Sequence, residues 1–463
     1  MTGARPNAPD IDNIRAALTW AFAPGGDKWI GVALAAASAP IWLEMSLLTE
    51  CHGWMGKALD HLDAADRGTR REMVLQTELG LSLMFTQGTS SRARAALTRA
   101  SELAESLQDL DYHLRALAGL ASSCHRLQDF QGALALGRRA EAIVKGSADP
   151  VALSTADWIL GTSLLFLGEY AEALTYAQRT SRQTAPVVRR AHIVRLGRDS
   201  VISARCTVAH ILWAQGLLDQ SAQTARNVVA EAEAGGHPLS LCLALTWCGC
   251  AISLWLGDLE AAERSIDRLK DHAEKHALSG YYAGGLGFEG QLSAKRGDCV
   301  AGERLLRACL DGLRQAQSET HYTAFLSGLA EVLARAGRFD ESLAAADEAL
   351  QRAERNDGFW WMPEALRIKG EVLLLSEKAD TTSMEDHFRR SLDLARCQGA
   401  LSWELRAAMS LARLRRDQGR IGEARDLLAS VYGRFTEGFG TTDLRAAKRL
   451  LDELTGTPVA ERD

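Results

Sequence analysis

The residues best suited to binding chemistry are arginines that cluster between positions 182 and 198. They are Arg182, Arg189, Arg190, Arg195 and Arg198. Guanidinium groups at this density can bind a phosphate ligand, a nucleic-acid backbone or an acidic partner. A surface loop and helix end whose arginines pair with neighbouring acids is the alternative interpretation. The net charge of -6 and the lack of aromatic residues between the arginines favour that alternative over nucleic acid.

Two other groups of side chains have the types that metal sites use, but not the full pattern. His272 and His276 lie four residues apart, so a helix would present both imidazoles on one face. The residues between them do not complete the sequence His-Glu-x-x-His, and a solvated polar helix is the favoured interpretation. Cys242, Cys248 and Cys250 would point in different directions from one helix. No metal site is therefore predicted.

No group of residues has the pattern of a catalytic site. The Gly-x-Ser-x-Gly nucleophile motif does not occur in the sequence. Carboxylate pairs such as Glu102 and Glu105 have ordinary surface spacing. We therefore predict a protein that is not an enzyme and that uses no cofactor.

The cysteines and the apolar runs of the sequence indicate the cellular location of the protein. Nine cysteines, an odd number, are scattered along the chain. This pattern favours reduced thiols in a cytoplasmic protein over a disulfide framework. The most apolar early run, residues 29–43, follows several acidic residues rather than a compact basic start. It predicts a buried helix, and neither a signal peptide nor a membrane association is expected.

A recurring turn shows which elements must position these residues. Residues 167–174 read Leu-Gly-Glu-Tyr-Ala-Glu-Ala-Leu, with a glycine for a tight turn, an acidic helix start and small or apolar residues at helical spacing. Related strings occur at residues 256–262, 337–343 and 419–424. A turn that recurs along the chain predicts a stack of helical hairpins.

Small residues define the period of this stack. One lies seven residues before each turn, at Gly80, Ala121, Gly161, Ala209, Cys250, Gly290, Ala330, Gly370 and Ala412. Successive members are 40 to 48 residues apart, and most steps are near 40. A small side chain lets the second helix of each pair cross the first closely. We therefore predict an all-α, right-handed superhelical solenoid of about ten tetratricopeptide-like helical pairs with a period near 40.

The period also suggests a division of the chain. We predict a flexible N-terminus at 1–9, N-terminal capping helices at 10–71, the solenoid at 72–440, a C-terminal capping helix at 441–456 and a flexible tail at 457–463. Two irregularities interrupt the repeats. The arginine-bearing segment adds eight residues to one step, and residues 377–384 lack a turn glycine, which predicts a longer loop.

The first helix of each pair should line the inner, concave face. Positions three before, one after and four after the small residue are the expected inner positions. Among them we select Trp158, Thr162, His210, Trp213, Trp247, Gln291, Glu331, Arg413 and Arg416. An aromatic wall with a few polar groups is typical of a site for a peptide or an amphipathic small molecule. Packing of these tryptophans between repeats is the alternative.

The C-terminal sequence resembles a known family. The string at residues 403–414 followed by Gln418-Gly419-Arg420, and that at 432–439 followed by Thr442-Asp443-Leu444, resemble the last repeat of MalT-like, STAND-type predicted-ATPase transcriptional regulators. Residues 13–22 resemble the segment of those proteins where the ATPase leads into the tetratricopeptide sensor. The resemblance implies a sensor that binds a ligand or partner and transmits its occupancy.

The sequence departs from that family in two respects: it has neither the phosphate loop of the ATPase nor a winged-helix or nucleotide-cyclase segment. It contains no Gly-x-x-x-x-Gly-Lys-[Ser/Thr] phosphate loop, and Gly53-Trp54-Met55-Gly56-Lys57 has the wrong spacing. ATP hydrolysis and direct DNA binding are therefore not expected of this chain. We predict a non-catalytic protein-interaction or ligand-sensing scaffold. Its expected partner is a protein or peptide, with a small-molecule effector and a separately encoded ATPase as further candidates. A regulator that contacts nucleic acid through residues 182–198 is the alternative function.

Overall fold

All regular secondary structure in the described part of the chain is helical. The computed structural model describes residues 8–376 and 381–456. In chain order the helices are Ala8–Phe22, Lys28–Glu44, Leu48–Asp60, Arg70–Thr86, Ser91–Ser106, Leu110–Arg126, Phe130–Val144, Pro150–Phe166, Tyr170–Ser181, Pro186–Leu196, Ser200–Ala214, Leu218–Gly235, Pro238–Leu256, Leu259–Lys275, Ser279–Lys295, Cys299–Gln315, Tyr322–Arg335, Phe339–Arg355, Met362–Leu375, Thr381–Cys397, Leu401–Asp417, Ile421–Tyr432 and Thr442–Thr455. The predicted all-α solenoid is confirmed.

From Lys28 onward the helices pack as consecutive pairs in two layers. The first helix of each pair contacts its own partner and also the first helices of the neighbouring pairs. First helices such as Arg70–Thr86 are buried along most of their length, whereas second helices such as Ser91–Ser106 keep an exposed face. The first helices therefore form the inner layer. Helix Thr442–Thr455 packs on the last pair and ends the stack.

The recurring turn has the conformation that its glycine predicts. Gly168 has a φ of 78°, in the left-handed region that glycine occupies without strain. Its N–H donates to the Leu165 carbonyl (3.1 Å), and the Glu169 N–H donates to the Leu164 carbonyl (2.9 Å). These bonds satisfy carbonyl groups at the end of the helix Pro150–Phe166, so the next helix can begin at Tyr170.

The small residues lie at close helix crossings, as predicted. A methyl group added at Gly290 would lie 3.0 Å from the Gly302 carbonyl oxygen and 2.9 Å from the Leu306 side chain. The same addition at Gly284, on the same helix, would meet no atom within 4 Å. Alanine at position 290 therefore tests helix packing, whereas alanine at position 284 tests helix propensity.

We expect opposite effects of alanine at these two positions. Gly290→Ala should lower the free energy of unfolding by about 1–3 kcal/mol, since the crossing helix must move away. Gly284→Ala should raise it by about 0.5–1 kcal/mol through helix propensity alone. Urea unfolding monitored by circular dichroism measures both. Equal effects of the two substitutions would contradict the assignment of Gly290 to a packing role.

The superhelix closes on itself, so that its second turn contacts its first. The Ser402 hydroxyl donates to the Trp213 carbonyl (2.5 Å), which lies 189 residues away. The Gln220 N–H donates to the Glu437 carboxylate (3.0 Å), 217 residues away. The Trp360 N–H donates to the Phe166 carbonyl in the same way (3.1 Å). One superhelical turn thus takes about five repeats, and the concave face carries partly open cavities instead of one continuous groove.

The arginine-bearing segment is a helix and not a surface loop. Helix Pro186–Leu196 packs across the inner layer, against the helices Lys28–Glu44, Leu110–Arg126, Pro150–Phe166 and Ser200–Ala214. Gly197, with a φ of 69°, ends it. At the N-terminus, the first described helix begins at Ala8, inside the segment that was predicted to be flexible. Of the loop predicted at residues 377–384, residues 377–380 lie outside the described part of the chain, and residues 381–384 belong to the helix Thr381–Cys397. The tail at 457–463 also lies outside the described part.

One helix in the described residues passes the length and composition test for a membrane span. It is Pro238–Leu256, and 67% of its most apolar window is buried inside the structure. A buried core helix passes the same test, and this helix belongs to the inner layer of the repeats.

Candidate ligand cavity at the axis of the superhelix

A cavity lies on the axis where the two superhelical turns meet, and we call it the central cavity. It contains about 940 Å³ of space free of protein atoms, part of which is open solvent. Its walls are formed by residues of the helices Leu110–Arg126, Pro150–Phe166, Ser200–Ala214, Pro238–Leu256 and Ser279–Lys295, and by the segment 313–325. Since these elements are far apart in sequence, the cavity exists only in the closed superhelix.

The predicted inner residues divide between two cavities. Trp158, Thr162 and Trp247 line the central cavity. Gln291, Glu331 and Arg413 line a second cavity nearer the C-terminus, which we call the ion-pair cavity.

The remaining predicted inner residues face neither space. His210 is buried, and its Nε2 atom lies 2.7 Å from the Trp247 carbonyl. Trp213 is packed within the core, and Arg416 pairs with Glu453 (3.0 Å). The inner-position rule therefore selects residues of the inner layer, but it does not distinguish residues that pack in the core from residues that line a cavity.

A cluster of tryptophans lies beside the ion-pair cavity, which Trp255 and Trp361 line. The rings of Trp213 and Trp403 have centroids 4.5 Å apart, and those of Trp213 and Trp255 are 4.6 Å apart. Trp361 lies 5.1 Å from Trp403 and 5.3 Å from Trp360. These residues come from both superhelical turns and are largely buried. Packing, the alternative interpretation, accounts for Trp213 and for the Trp360-Trp361 pair.

Arg198 extends from the end of the inserted helix into the central cavity. Its side chain is almost fully buried, with 6% of its surface exposed. The guanidinium lies 3.4 Å from the centre of the Trp158 ring, and its Nη1 donates to the Ser122 hydroxyl (3.1 Å). Its Nε has no hydrogen-bond partner among the described residues. Burial lowers the pKa of Arg198 to about 9; Tyr281 opposes this shift, and the charge of Arg126 adds to it.

Arg126 is the second cation of the central cavity. Its Nη1 donates to the Ser318 hydroxyl (2.8 Å), and its guanidinium lies over the Phe85 ring at 5.4 Å. Burial lowers its pKa, while the nearby Tyr281 raises it. Because Ser318 belongs to the second superhelical turn, this bond joins the two turns across the cavity.

The polar groups of the central cavity include no carboxylate. Its lining contains no aspartate or glutamate among the described residues. Burial lowers the pKa values of His125 and His321 to about 3, so both imidazoles are neutral near pH 7. The Nε2 atom of His321 and the hydroxyl of Thr246 are buried without a partner in the described structure. The cavity is therefore electropositive, aromatic and incompletely hydrogen-bonded.

The ion-pair cavity differs, because carboxylates line it together with its cations. Glu364 accepts hydrogen bonds from Arg367 (2.7 Å) and Arg406 (3.1 Å). Arg367 also pairs with Glu371 (2.7 Å), and Arg406 pairs with Asp443 (2.7 Å). Together the two guanidiniums lower the pKa of Glu364 to about 2 against the opposing effect of burial. This network joins several helices and leaves these charges neutralised.

Three of the other four arginines of the inserted segment are engaged in structural ion pairs. Arg189 pairs with Asp199 (2.6 Å) and also with Glu231, Arg190 pairs with Glu44 (2.8 Å), and Arg195 pairs with Asp149 (2.6 Å). Arg182 is exposed beside the end of the helix Tyr170–Ser181. Pairing with neighbouring acids thus accounts for three of the five arginines, and Arg198 alone enters the central cavity.

Several lining residues were missed by sequence reasoning. The inner-position rule, applied to Ala121, points to Ser122 and His125, which do line the cavity. Arg126 and His321 have no such signal. His321 lies in a connection of the second superhelical turn, and its proximity to Arg198 depends on closure of the superhelix.

The candidate metal ligands do not form a metal site in the described structure. The rings of His272 and His276 contact each other, with centroids 4.6 Å apart. No group of three or more histidine, cysteine, aspartate or glutamate side chains that could hold an ion occurs within the described ranges. The cysteines are free thiols, and the Sγ atoms of Cys206 and Cys248 lie 3.6 Å apart.

Comparison with known proteins gives one family match and a few similar proteins. The tetratricopeptide repeat family matches residues 79–148. An uncharacterized protein of Rhizobium meliloti (strain 1021) is 22% identical over 219 residues, which span 47% of this chain but only 21% of that protein. The chain therefore contains a tetratricopeptide-type region.

Two solved structures also match this chain, both at low sequence identity. A Rap protein complexed with competence and sporulation factor matches with a TM-score of 0.42 and 11% identity, covering 92% of this chain and 98% of that chain. The apo form of RapI matches with a TM-score of 0.42 and 11% identity, covering 65% of this chain and 99% of that chain.

Proposed function

We propose that this protein is a non-catalytic scaffold that senses a small ligand in the central cavity and presents its repeats to a protein partner. The observation that carries the ligand site is the set of buried, unpartnered polar groups around the cavity. Arg198 Nε, the Thr246 hydroxyl and His321 Nε2 each lack a hydrogen bond within the described residues. Buried polar groups are costly when unpaired, and a bound ligand would supply the missing partners.

The position of the cavity supports a sensing role. Arg126 and Trp158 come from the first superhelical turn, whereas Ser318 and His321 come from the second. A ligand that contacts both sides would favour the closed superhelix over more open conformations. Ligand occupancy would thereby change the curvature of the repeats, which is what a partner on their surface could detect.

The partner is proposed from the repeats themselves. The tetratricopeptide match at residues 79–148 supports protein or peptide binding. The resemblance of residues 403–444 to MalT-like regulators makes a signal-transduction ATPase, encoded separately, our preferred partner. Under this proposal the protein works in the cytoplasm as the sensor of such a regulator, with its cysteines reduced.

A blocked cavity tests the ligand site. We expect some members of a metabolite panel to raise the thermal unfolding midpoint of the unmodified protein by a few degrees. Thr162→Trp should abolish that shift, because Thr162 lines the cavity and the indole would fill it. Thr175→Trp, on the exposed face of the next helix, should retain the shift. The absence of any stabilising compound, or a shift that persists in Thr162→Trp, would contradict the proposal.

A further inference from the structure

We infer that the ligand of the central cavity is a small organic anion, with an aromatic or other apolar body and a carboxylate or phosphate that is held by Arg198 and Arg126. The inference rests on the proposed function and names the chemical class of its ligand. It is drawn from the charge of the cavity, from the unsatisfied donors and from the character of the walls.

Arg198 is a buried cation without an anionic partner among the described residues. A buried guanidinium is stable when it is paired with an anion, and an unpaired one is destabilising because it has lost its hydration. Arg198 has the Trp158 ring and the Ser122 hydroxyl as neighbours, but no ion pair with a described residue. Its Nε–H lacks an acceptor. A carboxylate or phosphate oxygen is the acceptor that best suits this donor.

Arg126 is the second cation of the central cavity and doubles the positive charge there. It lines the same cavity and is also without an ion pair to a described residue. Its charge disfavours the charged form of Arg198, so the two cations act on each other. One anion between them would neutralise repulsion that no described carboxylate relieves. Arg189, Arg190 and Arg195, by contrast, have acids beside them.

The aromatic walls of the central cavity indicate the body of the ligand. The walls carry the aromatic rings of Phe85, Trp158, Phe166, Trp247 and Phe325. Such walls favour an apolar or aromatic body, and free inorganic phosphate would leave them in contact with water. The hydroxyl of Thr246 and Nε2 of His321 remain available for a polar substituent. The imidazole of His321 is neutral, so it adds no repulsion toward a cation, and the selectivity for an anion comes from the arginines.

Matched probes of one shape and different charge test the inference. They are 2-naphthoate, 2-naphthyl phosphate, 2-naphthamide and 2-naphthamidine, with inorganic phosphate as the anion without an apolar body. Binding to the full chain is measured by isothermal titration calorimetry. We expect at least one naphthyl anion to bind at least tenfold more tightly than the amide, the amidine and inorganic phosphate. The carboxylate and phosphate arms distinguish the two kinds of anion.

Variants assign the binding to the two arginines. Arg198→Gln and Arg126→Gln should each weaken binding of the naphthyl anion at least tenfold and should leave binding of the amide within about twofold. Arg198→Lys keeps the charge but loses the planar fork, and we expect an intermediate loss. Arg190→Gln is the control, because Arg190 lies on the same inserted helix and pairs with Glu44 at the surface. Unchanged circular dichroism excludes loss of folding.

The possible failures have different meanings. If the amide or the amidine binds as well as the anions, the inference is wrong while the cavity remains a ligand site. If anion binding is unchanged in both glutamine variants, Arg198 serves only to pack on Trp158 and the inference is again wrong. If no probe of any charge binds, and the metabolite panel also gives no thermal shift, the proposed function fails with it.

Discussion

Replacing Glu364 with alanine should lower the free energy of unfolding by about 3–5 kcal/mol, which is among the largest single effects that we expect in this protein. Glu364 is 5% exposed and accepts hydrogen bonds from Arg367 and Arg406, which are themselves largely buried. Removal of the carboxylate deprives Arg367 and Arg406 of the buried partner that they share. Within the described residues, Arg367 then keeps only Glu331 and Glu371, and Arg406 keeps only Asp443. Urea unfolding of the variant and of the unmodified protein measures the difference.

Glu341 provides a matched control for this prediction. Glu341 and Arg338 form a pair with the same three-residue spacing as Glu364 and Arg367, but the Glu341 side chain is 52% exposed. Glu341→Ala should therefore lower the free energy of unfolding far less than Glu364→Ala, because solvent screens an exposed pair. Comparable losses in the two variants would show that burial of the Glu364 network has no special role.

The same network predicts a pH dependence. The pKa of Glu364 falls from 4.5 to about 2 in the folded protein. A carboxyl group with a lowered folded pKa contributes stability above its unfolded pKa and loses that contribution as the pH falls toward the folded value. We therefore expect the difference in stability between Glu364→Gln and the unmodified protein to be largest above pH 4.5 and to shrink from pH 4.5 toward pH 2.

Replacing Trp403 with alanine should have an effect of similar size, about 3–5 kcal/mol. Trp403 is 2% exposed, and its ring contacts Trp213 and Trp361 with centroid distances of 4.5 and 5.1 Å. The truncation would leave a space between the two superhelical turns, which the surrounding large rings cannot fill. Thermal unfolding and limited proteolysis measure the loss of stability and the opening of the contact.

Trp20 is the matched control for Trp403. It is 57% exposed, so Trp20→Ala should change the free energy of unfolding by about 0.5 kcal/mol or less. If Trp403→Ala were equally mild, the tryptophan cluster would not be the packing contact that holds the two turns together.

The repeats could be predicted from the sequence because their signals are local. The turn at Gly168 and the small residue at Gly290 each act on helices that are adjacent in sequence. The turn conformation and the close helix crossing could therefore be predicted from the residue types. The inserted helix Pro186–Leu196 was harder to predict, because its arginine content suggested a surface segment. Three of its arginines instead pair with acids at the ends of inner helices.

The candidate site could be predicted only in part. Trp158, Thr162 and Trp247 were found because one rule describes the inner face of every first helix. Trp213 obeys the same rule and is nevertheless core, since a ring from the second superhelical turn covers it. The roles of Arg126 and Ser318 depend on a contact between residues 192 positions apart. No local pattern encodes such a contact, because it depends on the summed rotation of several repeats.

The closure of the superhelix has a consequence for how the chain unfolds. An open repeat array unfolds piecemeal, since each repeat touches only its neighbours, and its end repeats can be removed with local effect. Here residues 213 and 402, and residues 220 and 437, are bonded across a whole superhelical turn. Loss of the last repeats would uncover the middle ones, so the cooperativity of unfolding should resemble that of a single globular domain. The high sequence separation of these contacts should also make folding slow for an all-helical protein.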